Sequence, residues 1–217
     1  MAGEVTVGRQ PIFNRELRLV AYELLFRQDS RAPSADVRDG DVATTRVIEN
    51  TLYEIGFRNL VGDKPAFINL TRSFLVSATE LRLRKDEVVL EILEDVDVDD
   101  TLLGRLRELS AAGYTIALDD FIYDPRHAAL IDLADIVKVD LSLVPRAELA
   151  EHVQNLRSHR VKLLAEKIET REQLEHCRGL GFDLYQGYLL AAPDIVTLGT
   201  ARPEFGGEPD PGARRRR

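Results

Sequence analysis

Residues 115–140 read TIALDDFIYDPRHAALIDLADIVKVD. Two apolar runs, Thr115–Leu118 and Asp135–Val139, frame a short amphipathic piece, Pro125–Leu133. Runs this short and this apolar suit strands buried on both faces, and the piece between them suits a crossover helix. A strand–helix–strand unit pairs its strands in parallel, with a right-handed connection. Each run also delivers polar groups at its far end. Leu118 is followed by Asp119 and Asp120, and the second run carries Lys138 with Asp140 two residues on.

The same unit recurs outward from there. Thr101–Ala112 places Leu102, Leu103, Leu106 and Leu109 on one helical face, and Gly113 stops it. Before it lie strands at Phe67–Leu70 and Val88–Leu93. After Asp140 come a helix at Pro145–Ser158, a strand at Val161–Ala165, a helix at Arg171–Arg178 and a last strand at Asp183–Leu189. The chain opens with two strands, Val5–Phe13 and Leu17–Phe26, turned at Asn14–Glu16, and a helix at Val42–Ile55. Eight strands interleaved with helices predict an α/β fold, a TIM-like (β/α)8 barrel with an antiparallel first strand pair. A doubly wound open sheet is the alternative, but no glycine-rich dinucleotide loop or phosphate-loop lysine supports it.

Six successive strands end in a polar side chain: Asn69, Glu91, Asp119 with Asp120, Lys138 with Asp140, Glu166 and Gln186. In a barrel those ends converge on one face. Gathered carboxylates repel one another and call for a cation, and oxygen donors favour Mg²⁺, Mn²⁺ or Ca²⁺ over zinc. Paired divalent ions are a common device for phosphoester hydrolysis. The pattern therefore points to a metal-dependent phosphoryl site.

The 217 residues carry 29 Lys and Arg against 37 Asp and Glu, a formal charge of −8, which argues against a nucleic acid polymer as partner. A single cysteine, Cys177, excludes an internal disulfide framework and a cysteine zinc site. No apolar run approaches a membrane span, and no secretory signal is visible, so cytoplasmic residence without membrane contact is expected. The four histidines, at 127, 152, 159 and 176, are expected at the surface. Residues 1–198 read as one domain, and residues 199–217, rich in Pro and Gly and ending in four arginines, as a disordered tail.

The motifs resemble those of the EAL domain family. Tyr22–Arg27 (YELLFR) is similar to the E-A-L-x-R signature, with Leu24 in place of alanine, and follows Gln10-Pro11-Ile12. Asn69 within Ile68–Leu70, Glu91 and Glu94, Asp119–Phe121, Lys138–Asp140, Glu166 and Glu169, and Gln186–Tyr188 match the later motifs in family order. The opening looks most like the divergent branch found as the EAL part of EAL–HDOD proteins.

That resemblance implies hydrolysis of cyclic di-GMP to linear pGpG with Mg²⁺ or Mn²⁺, and Ca²⁺ binding without turnover. It implies Glu23, Asn69, Glu91 and Asp119 as metal ligands, with Asp120 serving a second ion. Glu166 becomes the general base or holds the metal-bound water, Lys138 orients water and offsets phosphate charge, and Asp140, Glu169 and Gln186 complete the inner site. Gln10, Leu25 and Arg27 become substrate contacts, Arg27 through phosphate. The resemblance also admits a homodimer and a regulatory protein partner. The chain departs from the family after Phe121, where Ile122–His127 (IYDPRH) replaces a glycine-rich loop. That departure motivates the alternative of a domain that binds cyclic di-GMP without cleaving it, or acts through a protein partner.

Overall fold

The computed structural model describes residues 4–25, 57–77, 81 and 83–199. Strands β1 (Glu4–Asn14) and β2 (Leu19–Leu25) form an antiparallel hairpin. The chain continues through α1 (Phe57–Val61), β3 (Ala66–Leu70), α2 (Arg72–Ser77), β4 (Val88–Ile92), α3 (Asp100–Ala111) and β5 (Thr115–Leu118). A 3₁₀ turn at Pro125–His127 leads into α4 (Ala128–Ile131) and β6 (Ile136–Asp140). Then follow α5 (Leu149–Arg157), β7 (Lys162–Glu166), α6 (Arg171–Gly179), β8 (Leu184–Tyr185) and β9 (Asp194–Gly199).

Strands β2 to β8 pair in parallel in chain order, and β1 closes the ring by pairing antiparallel with both β2 and β8. The barrel is the expected α/β fold with its antiparallel first pair. β1 is long enough to take a further antiparallel partner, β9, along its first half, from Glu4↔Gly199 to Arg9↔Asp194.

Alternation along each strand gives the barrel two inner layers. Ile12, Ala21, Phe67, Val89, Ala117, Ile136 and Leu164 pack together as a dry plug inside it. Two residues further along the same strands, on the same face, stand Glu23, Asn69, Glu91, Asp119, Lys138 and Glu166. Pairing slips between neighbouring strands: Glu23 lies beside Phe67, Glu91 beside Ala117 and Lys138 beside Leu164. This stagger tilts the strands and allows closure. The opposite face of the strands packs outward, where Ile68, Leu90, Leu118, Val137 and Val139 join the larger core beneath the helices. All five residues of β4 are buried, as expected for a strand covered on both sides.

The helices start where chemistry favours them. Asp99 caps α3 by accepting from Leu102 N at 2.9 Å, and Leu102, Leu106 and Leu109 form its buried stripe. Thr170 and Gln173 form a reciprocal capping box on α6.

The structure corrects several expected elements. The last strand is Leu184–Tyr185 rather than Asp183–Leu189, because Gln186–Leu189 turns back over Ile168. Helix α5 begins at Leu149, not Pro145. The residues before it form turns, although Leu149 N bonds Pro145 O. Pro125–Leu133 splits into the 3₁₀ turn and α4. Sequence periodicity passed over α1, α2 and β9, which are too short or too irregular to show it. The expected helix at Val42–Ile55, the residues Phe26 and Arg27, and residues 200–217 lie outside the described residues.

Candidate active site

The mouth of the barrel holds a cavity of about 310 Å³, floored by the polar inner layer. Gln10 and Leu25 line it from the hairpin, and Glu169 and Tyr188 from the loops above β7 and β8. The placement follows from strand period alone. A side chain two residues beyond a plug residue must face the same interior, one layer higher.

Lys138 organises the floor. Its side chain is 1% exposed, and Nζ lies 2.5 Å from Glu91 Oε1, 2.6 Å from Asp119 Oδ1, 3.0 Å from Glu166 Oε1 and 3.3 Å from Glu23 Oε1. Burial alone would push the ammonium toward neutrality, but the four carboxylates outweigh it and hold Lys138 well above its ordinary value. The reverse holds for two of the acids. Burial is the largest influence on Glu91, and despite Lys138 its carboxyl is pushed up to about 8. Burial likewise holds Glu166 well above the usual carboxylate range, with Asp119, Glu23 and Glu91 adding to the effect.

Gln186, immediately after β8, donates from Nε2 to Glu23 Oε2 at 2.7 Å. Glu23 thus joins two elements of the site, β6 and the end of β8. Asn69 sits near the end of β3 with Oδ1 buried and without a hydrogen-bond partner among the described residues. It does not cap the helix that follows. Thr71 does so, accepting from Phe74 N at 3.3 Å.

The acidic turn after β5 has an unusual backbone. Asp120 adopts a left-handed angle, φ 41°, and its N–H donates to Asp119 Oδ1 at 3.1 Å. Burial, then the charges of Asp119 and Asp140, raises the Asp120 carboxyl. Asp120 itself provides the left-handed step, and no further positive angle occurs from Phe121 to His127. Asp124 instead caps the 3₁₀ turn and pairs with Arg126 at 2.5 Å.

The donors fit a divalent ion. Oxygens of Asp119, Asp120 and Glu166 lie within 4.8 Å of one another. Glu91 Oε2, Glu166 Oε2 and Asn69 Oδ1 are buried and accept no hydrogen bond among the described residues. Buried acceptors without donors are costly, and a hard cation satisfies them.

Of the residues singled out in the sequence, twelve converge here: Gln10, Glu23, Leu25, Asn69, Glu91, Asp119, Asp120, Lys138, Asp140, Glu166, Glu169 and Gln186. Arg27 lies outside the described residues. Lys167, which takes the place of the family's glycine beside Glu166, was given no site role, yet it lines the cavity and pairs with Asp140. A charged residue directly after a strand-end carboxylate was the available signal. The histidines depart from expectation. His152 is 7% exposed, its ring bonds the backbone of Phe121, and burial lowers its pKa. The other three are partly covered, and His159 pairs with Asp132 at 2.7 Å. Histidine stacks and bonds as readily as it solvates, so α5 turns His152 inward beside Val153 and Leu156.

Comparison with known proteins supports the architecture. The family model described as the EAL domain matches residues 56–193. An uncharacterized protein of Bacillus subtilis, YuxH, is 37% identical over 198 residues, covering 89% of this chain and 48% of that protein. The cyclic di-GMP phosphodiesterase CdgJ of Vibrio cholerae is 33% identical over 200 residues, covering 91% and 46%. The chain therefore spans about half the length of these relatives. The Klebsiella pneumoniae protein BlrP1, solved as a manganese and cyclic di-GMP complex, superposes with a TM-score of 0.70 at 21% identity, over 92% of this chain and 61% of that one. That likeness carries the fold.

Proposed function

The chain belongs to the EAL domain family, and from that premise we propose that it is a divalent-metal-dependent hydrolase that opens cyclic di-GMP to linear pGpG in bacterial, cytoplasmic second-messenger signalling. The observation that carries this reading is the floor of the cavity. Four carboxylates from four strands surround one buried lysine, and open space lies directly above them.

Glu23, Asn69, Glu91 and Asp119, with Asp120 beside them, would hold Mg²⁺ or Mn²⁺, and Ca²⁺ would bind there without supporting turnover. The ion supplies charge against the phosphate oxygens and lowers the pKa of water beside it. Lys138 and a bound cation would share the same oxygens, which keeps the ammonium at the floor of the cavity, beside where the phosphate would lie. There it offsets developing charge on the scissile phosphate. Glu166, held high by burial, is suited to accept a proton from attacking water. Gln186 keeps Glu23 oriented. Gln10, Leu25 and Glu169 shape the mouth, and Arg27 is assigned to phosphate. A homodimer and a regulatory protein partner belong to this reading as well.

Chromatography of cyclic di-GMP incubated with the protein and Mg²⁺ or Mn²⁺ tests it. The expected result is pGpG from the native chain and none from Glu23→Ala. No product from micromolar enzyme over hours overturns it. The glycine-free turn from Ile122 to His127 favours a second reading, a receptor that binds without cleaving. Calorimetry with Ca²⁺ and cyclic di-GMP would then show binding in the absence of turnover.

A further inference from the structure

A second lysine stands at the rim of the same cavity. Lys167 follows Glu166 directly and adopts a left-handed backbone angle, φ 55°, which glycine reaches without strain. Its side chain is 59% exposed, yet Nζ turns inward to pair with Asp140 Oδ2. The Asp140 side chain is fully buried, and its other oxygen, Oδ1, accepts from Ser142 N at 2.7 Å. Both oxygens of Asp140 are thus engaged by the chain itself. The charges of Asp120 and Glu166 also act on Lys167. Those two acids, with Asp119, form the close oxygen triad, and Glu166 Oε2 in that triad has no other partner.

Beside Lys138 at the floor, the site therefore carries a second monocation at its rim, next to the outer triad. The deeper donors, Glu23, Asn69, Glu91 and Asp119, retain the unpartnered oxygens of Asn69 and Glu91. A divalent ion on the outer triad would face Lys167 across a partly enclosed cavity, where like charges repel more strongly than in bulk water. Lys167 holds this place because Asp140 anchors it.

We propose that Lys167 is a built-in cation of the site that excludes a second divalent ion from Asp119, Asp120 and Glu166, so the chain binds one ion, at the deeper donors. The inference rests on the divalent-ion site of the proposed function. Its consequence is a hydrolase, or receptor, whose metal stoichiometry is set by a side chain.

The test is titration of the metal-free full chain with Mn²⁺, followed by calorimetry and electron paramagnetic resonance. The native chain and Lys167→Arg should bind one ion and give the spectrum of an isolated Mn²⁺. Lys167→Gly and Lys167→Met should gain a second ion, with outer-site affinity raised on the order of tenfold or more. Their spectra should show a spin-coupled pair, as expected for ions about 3.5–4 Å apart. Two ions in the native chain with unchanged affinity, or one ion in all four proteins, overturns the proposal and leaves the divalent-ion site standing. Mn²⁺ binding by none of the four overturns both.

Discussion

The lower and upper layers of the barrel interior are built from the same strands, two residues apart, and have opposite chemistry. The lower layer is Phe67, Val89, Ala117, Ile136, Leu164 and their neighbours, dry and without polar atoms in its side chains. The upper layer packs four carboxylates around Lys138. The plug gains free energy from apolar burial. The floor pays to bury charge that only Lys138 and hydrogen bonds offset, so it is held in place by the plug and the helices rather than by itself. Stability and chemistry are separated by one strand period, about 7 Å.

Glu166→Gln should give the largest effect in the upper layer. Turnover of cyclic di-GMP should fall about 10²–10⁴-fold, the range for losing a general base, with no loss of melting temperature. An unfolded variant would break the separation of the layers. Phe67→Ala in the plug should do the reverse, costing about 3–5 kcal/mol in chemical denaturation. Below its melting point, each folded molecule should turn over substrate within about tenfold of the native rate, since no contact to the cavity is lost.

Gly187 is where the separation should fail. Its φ is 152°, and a Cβ there would meet Ile168 N and O at 2.2 Å. The same backbone closes β8 against the loop after β7, through Ile168 N to Gln186 O and Leu189 N to Ile168 O. Gly187→Ala should lower stability by about 3 kcal/mol and turnover together, because it displaces Gln186 and Tyr188 as it strains the closure. A loss confined to one readout would show that the loop is independent of the barrel.

Acidity gives a gentler test. Glu91 binds its proton more tightly folded, at about 8, than unfolded, near 4.5, and Glu166 is shifted the same way. The folded state thus holds more protons between those values. Stability of the metal-free protein is greatest below the lower value and declines as pH rises toward 8. Thermal melts from pH 5 to pH 8 should show that fall, and divalent ions should reverse it. Glu91→Gln should flatten the profile and raise metal-free stability at pH 8 by about 1–2 kcal/mol, a few degrees of melting temperature. An unchanged slope would mean that Glu91 is ionised throughout.

Much of this arrangement was legible beforehand. Apolar runs of four or five residues, each ending in a polar group, locate both layers, because alternation carries a known plug residue to a known site residue. The short β8 was overextended because Tyr188 and Leu189 continue the apolar run, although they turn out of the sheet and are exposed. β9 was missed because its pairing partner lies at the opposite end of the chain. His152 was misassigned because burial of one face of α5 depends on what Phe121 does, not on local period.

By itself, the sequence determined the family, the order of the strands and which side chains share the barrel mouth, because these rest on local period and motif order. The tertiary structure alone decided how their charges are shared. Lys138 meets Glu23 across 115 residues, and Lys167 meets Asp140 across 27. Such pairings depend on strand stagger and closure, which bring distant ends within a few ångströms. Whether a carboxylate there is bare, bonded or paired is a property of the closed barrel, since electrostatic energy depends on distance in space and on exclusion of water.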